Sequence, residues 1–353
     1  MGRVRVSNIR LIAKTAGVSI ATVSRVLNNQ AGVSDTARAA VLAAVNDAGY
    51  VPEIGKRSTS NIALLYTDTP TLDSPFDAAL LTGIHDGLPK LGCDLLLLDA
   101  HRSKRQDETF SHMFLRKGVQ GALLRTTTAS RPICEEILRE GFATVVVGYR
   151  LEEPGATCVY SDSREASGKA IDHLISLGHR RIAVCIHVVE DSDHADRVAA
   201  YRKSLESHGI AFDERLVIRL PANREGGTQA IRRIAAMAER PTAQFLTDPL
   251  TSVGPLCEAR AVGLRVPEQL SVVGFDDTEL RHGLAPTLTA VCQNSKELGR
   301  EAVTILGRTI AHRGPNRPPP LTKTLNCWFE VHESTAPPPP TPSRISRARE
   351  AIP

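Results

Sequence analysis

The chain has 353 residues, 42% hydrophobic and 23% charged, with a net charge of +4. This composition suits packed cores rather than disorder, and the length calls for two or three folding units of ~100–200 residues. Nothing in it resembles an apolar run of ~18 residues that could span a bilayer, and no apolar stretch follows Met1-Gly2-Arg3-Val4-Arg5 as a secretory signal requires. A cytoplasmic protein without a membrane partner is therefore expected. The seven cysteines are scattered and form no C-x-x-C pair, so they read as reduced core residues and neither a disulfide framework nor a bound metal or other cofactor is expected.

Charge is uneven along the chain. Residues 1–60 carry Arg3, Arg5, Arg10, Lys14, Arg25, Arg38, Lys56 and Arg57 against Asp35, Asp47 and Glu53, which is +5 there and −1 for the rest. A basic head on a near-neutral body suits a polyanion bound at one end. Within the head, a helix is predicted from Ile9 to Ala16, stopped by Gly17. Ser19 then caps a second helix from Ile20 to about Asn28, and Ser34 caps a third that buries Ala37, Val41, Ala44 and Val45 and ends at Gly49. Ala13, Val18, Val23 and Val26 are the small apolar contacts that lock two helices at a steep angle.

The second helix offers Ser19, Ile20, Ala21, Thr22, Ser24, Arg25 and Asn28 to a partner. Hydroxyls and a helix N-terminus suit phosphate oxygens, and Arg25 can grip guanine O6 and N7 with two bonds. Ile20 and Ala21 can sense a thymine methyl but cannot donate a hydrogen bond. From Asn61 the pattern becomes strand–helix alternation, with strands predicted at 62–66, 94–98, 121–124, 144–148, 181–186, 243–247 and 271–275 and amphipathic helices at 78–91, 163–177 and 196–208. Such alternation gives parallel sheets covered by helices, and about 275 residues of it exceed one comfortable core, so two lobes are expected. The end, 335–353, holds Pro337-Pro338-Pro339-Pro340 followed by Arg344, Arg347 and Arg349 and is expected to be a disordered, solvated tail.

The string from Ala13-Lys14-Thr15-Ala16-Gly17-Val18-Ser19 through Val26-Leu27-Asn28 resembles the head of the LacI/GalR repressor family almost residue for residue. The likeness continues through Val33-Ser34, Gly49-Tyr50 and Pro52, then Leu177-Gly178-His179-Arg180-Arg181-Ile182, Arg197 ahead of Ala200-Tyr201, Val266-Pro267 through Gly274-Phe275-Asp276-Asp277, Pro286-Thr287-Leu288-Thr289 and Glu333-Ser334-Thr335. The resemblance implies an α/β protein: a helix-turn-helix domain at 1–52, a short hinge linker at 53–60, and at 61–334 a two-lobed, periplasmic-binding-protein-like domain of Rossmann-like parallel sheets that binds effector between its lobes and dimerises. It further implies a repressor, active as at least a homodimer, whose affinity for double-stranded operator DNA is controlled by a sugar-like small molecule.

The effector contacts that follow from the resemblance are Arg197 and Asp276, a charged donor and a charged acceptor able to hold sugar hydroxyls, with Phe76 to stack on the ligand and Tyr149, Thr247, Asp248 and Gln293 around it. Thr247 stands where the family usually has Asn, and Tyr149 where an acidic or polar residue is common. The hinge departs too: Glu53-Ile54-Gly55-Lys56-Arg57-Ser58-Thr59-Ser60 is short, and Thr59 replaces the leucine that wedges into the minor groove. Lys56 and Arg57 are expected to grip DNA electrostatically instead, with little bending. His187, Asp191, Asp193 and His194 imitate a metal cluster, but their spacing fits no standard helical site. Two other classes share parts of this pattern, a two-lobed sugar-binding protein and a sugar-active enzyme. The first lacks a basic helix-turn-helix, and the second has no support here from a P-loop, HExxH, GxSxG or GxGxxG motif.

Overall fold

The structure, a computed structural model, describes residues 9–27, 30, 32–48, 61–276, 278–312 and 319–340. Its described part begins with three short helices, α1 (Ile9–Thr15), α2 (Ile20–Leu27) and α3 (Asp35–Ala48). Ile12, Val23, Val26, Val41 and Val45 lie at 0–1% exposure and form the core of the head. Gly17, at φ +67°, makes the turn between α1 and α2, a backbone region that costs glycine little and other residues more.

The body divides into two compact units. The first unit takes in the head, residues up to Glu165, and the segments Val189–Ala199 and Cys292–Trp328. Its elements in chain order are β1 (Asn61–Tyr66), α4 (Pro75–Gly87), β2 (Asp94–Asp99), α5 (Ala100–Ser103), α6 (Phe110–Arg116), β3 (Val119–Arg125), α7 (Arg131–Arg139), β4 (Thr144–Val147) and β5 (Cys158–Asp162). The chain then runs through α8 (Arg164–Ser176), β6 (Ile182–His187), α9 (Ser192–Ser207), β7 (Val217–Leu220), α10 (Arg224–Ala236), β8 (Ala243–Leu246), α11 (Pro249–Glu258), β9 (Ser271–Asp276) and β10 (Thr289–Cys292). It closes with α12 (Ser295–Ala311), β11 (Thr322–Asn326) and β12 (Trp328–Glu330).

One six-stranded sheet has the order β11-β5-β4-β3-β1-β2, with parallel pairing between neighbours. Side chains alternate across β1 and β3 and are buried on both faces. Ile62, Leu64 and Leu123 pack with Leu80, Ile84, Leu298 and Leu306 from α4 and α12, while Ala63, Leu65, Ala122 and Leu124 pack with Phe114 and Ile137 from α6 and α7. The α4 and α12 backbones come so close that a Cβ on Gly299 would lie 2.3 Å from the Leu80 carbonyl oxygen. The other sheet runs β12-β10-β9-β8-β6-β7 and carries the second unit.

All seven strands expected from the sequence are present, with ends shifted by a residue or two. Five more were not anticipated: β5, β7, β10, β11 and β12. β11 alternates exposed and half-buried residues, Thr322-Lys323-Thr324-Leu325-Asn326, and lies at the sheet edge, so it lacks the apolar run by which buried strands are recognised. Of the segment assigned to the tail, residues 335–340 fall within the described part, and Ala336 is bonded to the second unit: its carbonyl accepts from Ser271 Oγ at 2.9 Å and its N–H donates to the same oxygen at 3.0 Å. The rest of the tail, the hinge at 53–60 with Lys56 and Arg57, and Asn28 lie outside the described residues. All seven cysteines are free.

Candidate DNA-reading helix and effector site

The reading helix is built by local rules. Ser19 Oγ accepts from the Thr22 N–H at 3.0 Å, one of the donors left open at a helix start. The Val18 N–H bonds the Ala13 carbonyl at 3.0 Å and closes the turn between α1 and α2. With Val23 and Val26 buried beneath, Ile20, Ala21 and Arg25 are exposed, and Thr22 and Ser24 are half-buried. Ile20 and Ser24, and Ala21 and Arg25, stand four residues apart and so share one side of the helix. Ile20 remains 45% exposed, a large apolar side chain held in solvent on the face with Arg25.

No local pattern in the sequence marks where the head rests. Leu115 of α6 is buried in the head's own apolar cluster, and His112 Nε2 lies 3.0 Å from the Leu27 carbonyl at the end of α2. The other ring nitrogen of His112 faces Glu108 at 3.0 Å, and Glu108 receives two bonds from Arg116, at 2.7 and 2.8 Å. α6 therefore touches the reading helix at the residue that follows its buried seam.

In the first unit, polar groups gather where strands end, the usual ligand edge of such sheets. Ser74 caps α4 by accepting from the Asp77 N–H at 3.0 Å. Asp77 is fully buried and pairs with Arg125 Nε at 3.0 Å, and Thr71 and Ser74 also donate to it. The Arg125 guanidinium lies 4.6 Å over the Phe76 ring and donates to the Val147 carbonyl at 3.2 Å. Gly148, at φ +66°, leaves room for this stack: a Cβ there would come within 2.7 Å of Arg125 Nη1 and 2.9 Å of the ring. Burial, and then the neighbouring Asp77 charge, hold the Tyr66 hydroxyl well above its ordinary value.

The start of α9 adds a second charged group to this unit. Asp191 accepts from the His194 N–H at 2.8 Å and pairs with its ring at 2.9 Å. Burial opposes the Asp191 charge, but His194 and then Arg197 outweigh it and hold the carboxyl below the ordinary range. Asp193 goes the other way: burial, then the Asp191 charge, push it up to about 7. Arg197 is buried, with Nε 3.5 Å from Ser163 Oγ.

The first unit thus holds Phe76 and Arg197 among polar groups: Asp191, Asp193 and His194, noted in the sequence only as an imitation of a metal cluster, and Asp77 and Arg125, which the sequence did not single out. Two signals were available: Ser74 three residues before Asp77 is a capping pattern, and Arg125 is a charge ending an apolar strand. Tyr149 is placed differently, 5% exposed and packed in an apolar cluster with Leu151 and Phe142. Gln293 is 5% exposed just after β10.

Thr247, Asp248 and Asp276 belong to the second unit. Thr247 is fully buried, its hydroxyl 3.1 Å from both the Cys185 carbonyl and the Asp248 carboxylate. Asp276, 1% exposed, accepts from the N–H groups of Thr278, Leu280 and Arg281 at 3.0–3.2 Å and from Arg281 Nη1 at 2.9 Å. A carboxylate has about four lone-pair positions, so in this geometry Asp276 is occupied in folding the loop that follows β9.

Comparisons with known proteins agree with this arrangement. Residues 8–53 match the family of bacterial regulatory proteins, lacI family, and residues 171–335 match a periplasmic binding protein-like domain. The HTH-type transcriptional regulator DegA of Bacillus subtilis is 31% identical over 84% of this chain and 90% of its own. The ribose operon repressor of Haemophilus influenzae is 31% identical over 86% of this chain and 92% of its own. A solved complex of the transcriptional regulator CelR with cellobiose superposes with a TM-score of 0.67 at 28% identity, covering 93% of this chain and 99% of that one. The chain belongs to the LacI family of bacterial regulatory proteins and is a DNA-binding transcriptional regulator with a periplasmic-binding-protein-like effector domain.

Proposed function

We propose that this protein represses transcription by seating the exposed side of α2 in the major groove of a two-fold operator, as a cytoplasmic homodimer, and that a small sugar-like effector sets its operator affinity. The single observation that carries the DNA-binding part is the capped α2 on its glycine turn, with Ile20, Ala21, Ser24 and Arg25 turned away from the buried seam. Arg25 reads guanine, Ile20 and Ala21 read a thymine methyl, and the α2 N-terminus and Ser19 hold backbone phosphate. Lys56, Arg57 and Asn28 add contacts to the duplex, and the short hinge bends it little.

The effector reading rests on two supports. Phe76, Arg197 and the carboxylates beside them supply an aromatic face with charged donors and acceptors, as a polyhydroxylated ligand requires. The named relatives include one regulator solved with cellobiose and one repressor of a ribose operon. Action is by binding, not turnover. An equilibrium gel-shift series tests this: the chain retains one operator-like duplex far more tightly than random DNA, and a sugar that raises its melting temperature changes that retention. Equal retention of specific and random duplexes would refute the proposal.

A further inference from the structure

The second unit also brings together His282, Glu330 and His332, three potential metal ligands from two segments distant in the chain. Their ligand atoms all lie within 4.8 Å of one another. His282 follows β9 in the loop that Asp276 organises, with its N–H bonded to the Glu279 carbonyl at 3.1 Å. Glu330 ends β12, and His332 is two residues on, so in extended backbone the two side chains project to the same side. The backbone of His332 is pinned to β10: its N–H donates to Thr289 Oγ1 at 2.9 Å, and that hydroxyl donates back to the His332 carbonyl at 3.2 Å.

We propose that His282, Glu330 and His332 form a binding site for one zinc-class divalent ion. The donor set is right for it, since two imidazoles and a carboxylate suit borderline-soft first-row ions and leave a fourth position for water or another ligand. The two rings meet edge to face with centroids 5.1 Å apart, and His332 Nε2 is 3.3 Å from Glu330 Oε2. Ligand atoms at ~2.0–2.2 Å from zinc sit ~3.3 Å from one another, so closure asks only for side-chain rotation, and His282 is exposed and able to turn.

Support behind the ligands is present as well. Arg281 donates to Glu330 through Nε at 2.7 Å and Nη2 at 3.3 Å, which fixes the plane of the carboxylate while lone pairs remain for an ion. Asp276 and Glu330 both bond the guanidinium of Arg281, at 2.9 and 2.7 Å. An ion on Glu330 therefore pulls on the same arginine that holds Asp276 and the loop after β9.

The test needs neither operator nor effector, so its result is independent of the repressor reading. Zinc chloride is titrated calorimetrically into the full chain, free of any affinity tag and stripped with chelator. The expected result is one tightly bound equivalent that raises the melting temperature, and loss of that equivalent in His282→Gln, whose exposed side chain can be changed without altering the zinc-free melting temperature. The double variant His282→Gln/His332→Gln is expected to behave the same way. Absence of a bound equivalent in the unaltered chain, or its persistence in His282→Gln, would overturn the site.

Discussion

Arg25 and Asp193 differ in what their surroundings ask of them. Arg25 is exposed on the side of α2 away from Val23 and Val26, so nothing in the head's core depends on it. Arg25→Ala is expected to leave the melting temperature unchanged and to weaken specific operator binding by roughly 1–3 kcal/mol, flattening base preference at one position per half-site. A competition titration against random duplex checks this; an equal loss on both duplexes would make Arg25 a phosphate contact only. Asp193 is buried beside Asp191 and is raised to about 7. Below the ordinary carboxylate range both folded and unfolded chains hold this proton, so the residue costs nothing. As pH rises through that range and on to about 7, the unfolded chain ionises first and stability falls. Asp193→Asn should therefore stabilise the protein at pH 8, by on the order of 1–3 kcal/mol, and make little difference at pH 4. Denaturant unfolding at the two pH values measures this, and an equal effect at both would show that burial of the charge is not the cause.

At the scale of elements, α6 is the piece that the chain's local pattern conceals. Phe110-Ser111-His112-Met113-Phe114-Leu115-Arg116 is buried nearly throughout, so it has no polar side to mark two different partners. Leu115 joins the head's core while Phe114 stacks on Phe142 at 4.5 Å in the body. Leu115→Ala should cost the head about 2–5 kcal/mol and speed amide exchange in α1–α3 while leaving β1 and β3 protected; uniform loss of protection would place Leu115 in the body instead. The capped head and the apolar central strands could be read from the sequence because each depends on near neighbours, whereas Phe76 and Arg197, on α4 and α9, were named only through the family resemblance. Asp77 and Arg125 could not be paired in advance, since they lie 48 residues apart and meet only once β1, β3 and α4 pack. β11 was missed because an edge strand has a half-exposed pattern. Gln244, in the centre of β8, is fully buried with neither side-chain amide atom hydrogen-bonded among the described residues. Gln244→Met, close in volume, should raise stability by about 1–3 kcal/mol in a thermal melt, and a destabilised variant would mean the amide has a partner.

At the scale of the whole molecule, the chain forms two compact units, each with its own six-stranded sheet, and the basic head belongs to the first. No helix among the described residues is long and apolar enough to cross a membrane. A regulator of this kind works only if its small molecule binds the DNA-competent and DNA-incompetent states with different affinity. Control of repression therefore requires a linkage between α2 and the polar groups around Arg197. Its most direct measurement is operator affinity, with and without a sugar found by thermal shift, for the unaltered chain and for Arg197→Ala at one fixed salt concentration. The sugar is expected to shift the affinity of the unaltered chain by about 5–150-fold, while Arg197→Ala binds operator equally well with or without it. A full sugar response in Arg197→Ala, or no sugar response in the unaltered chain, would contradict this linkage.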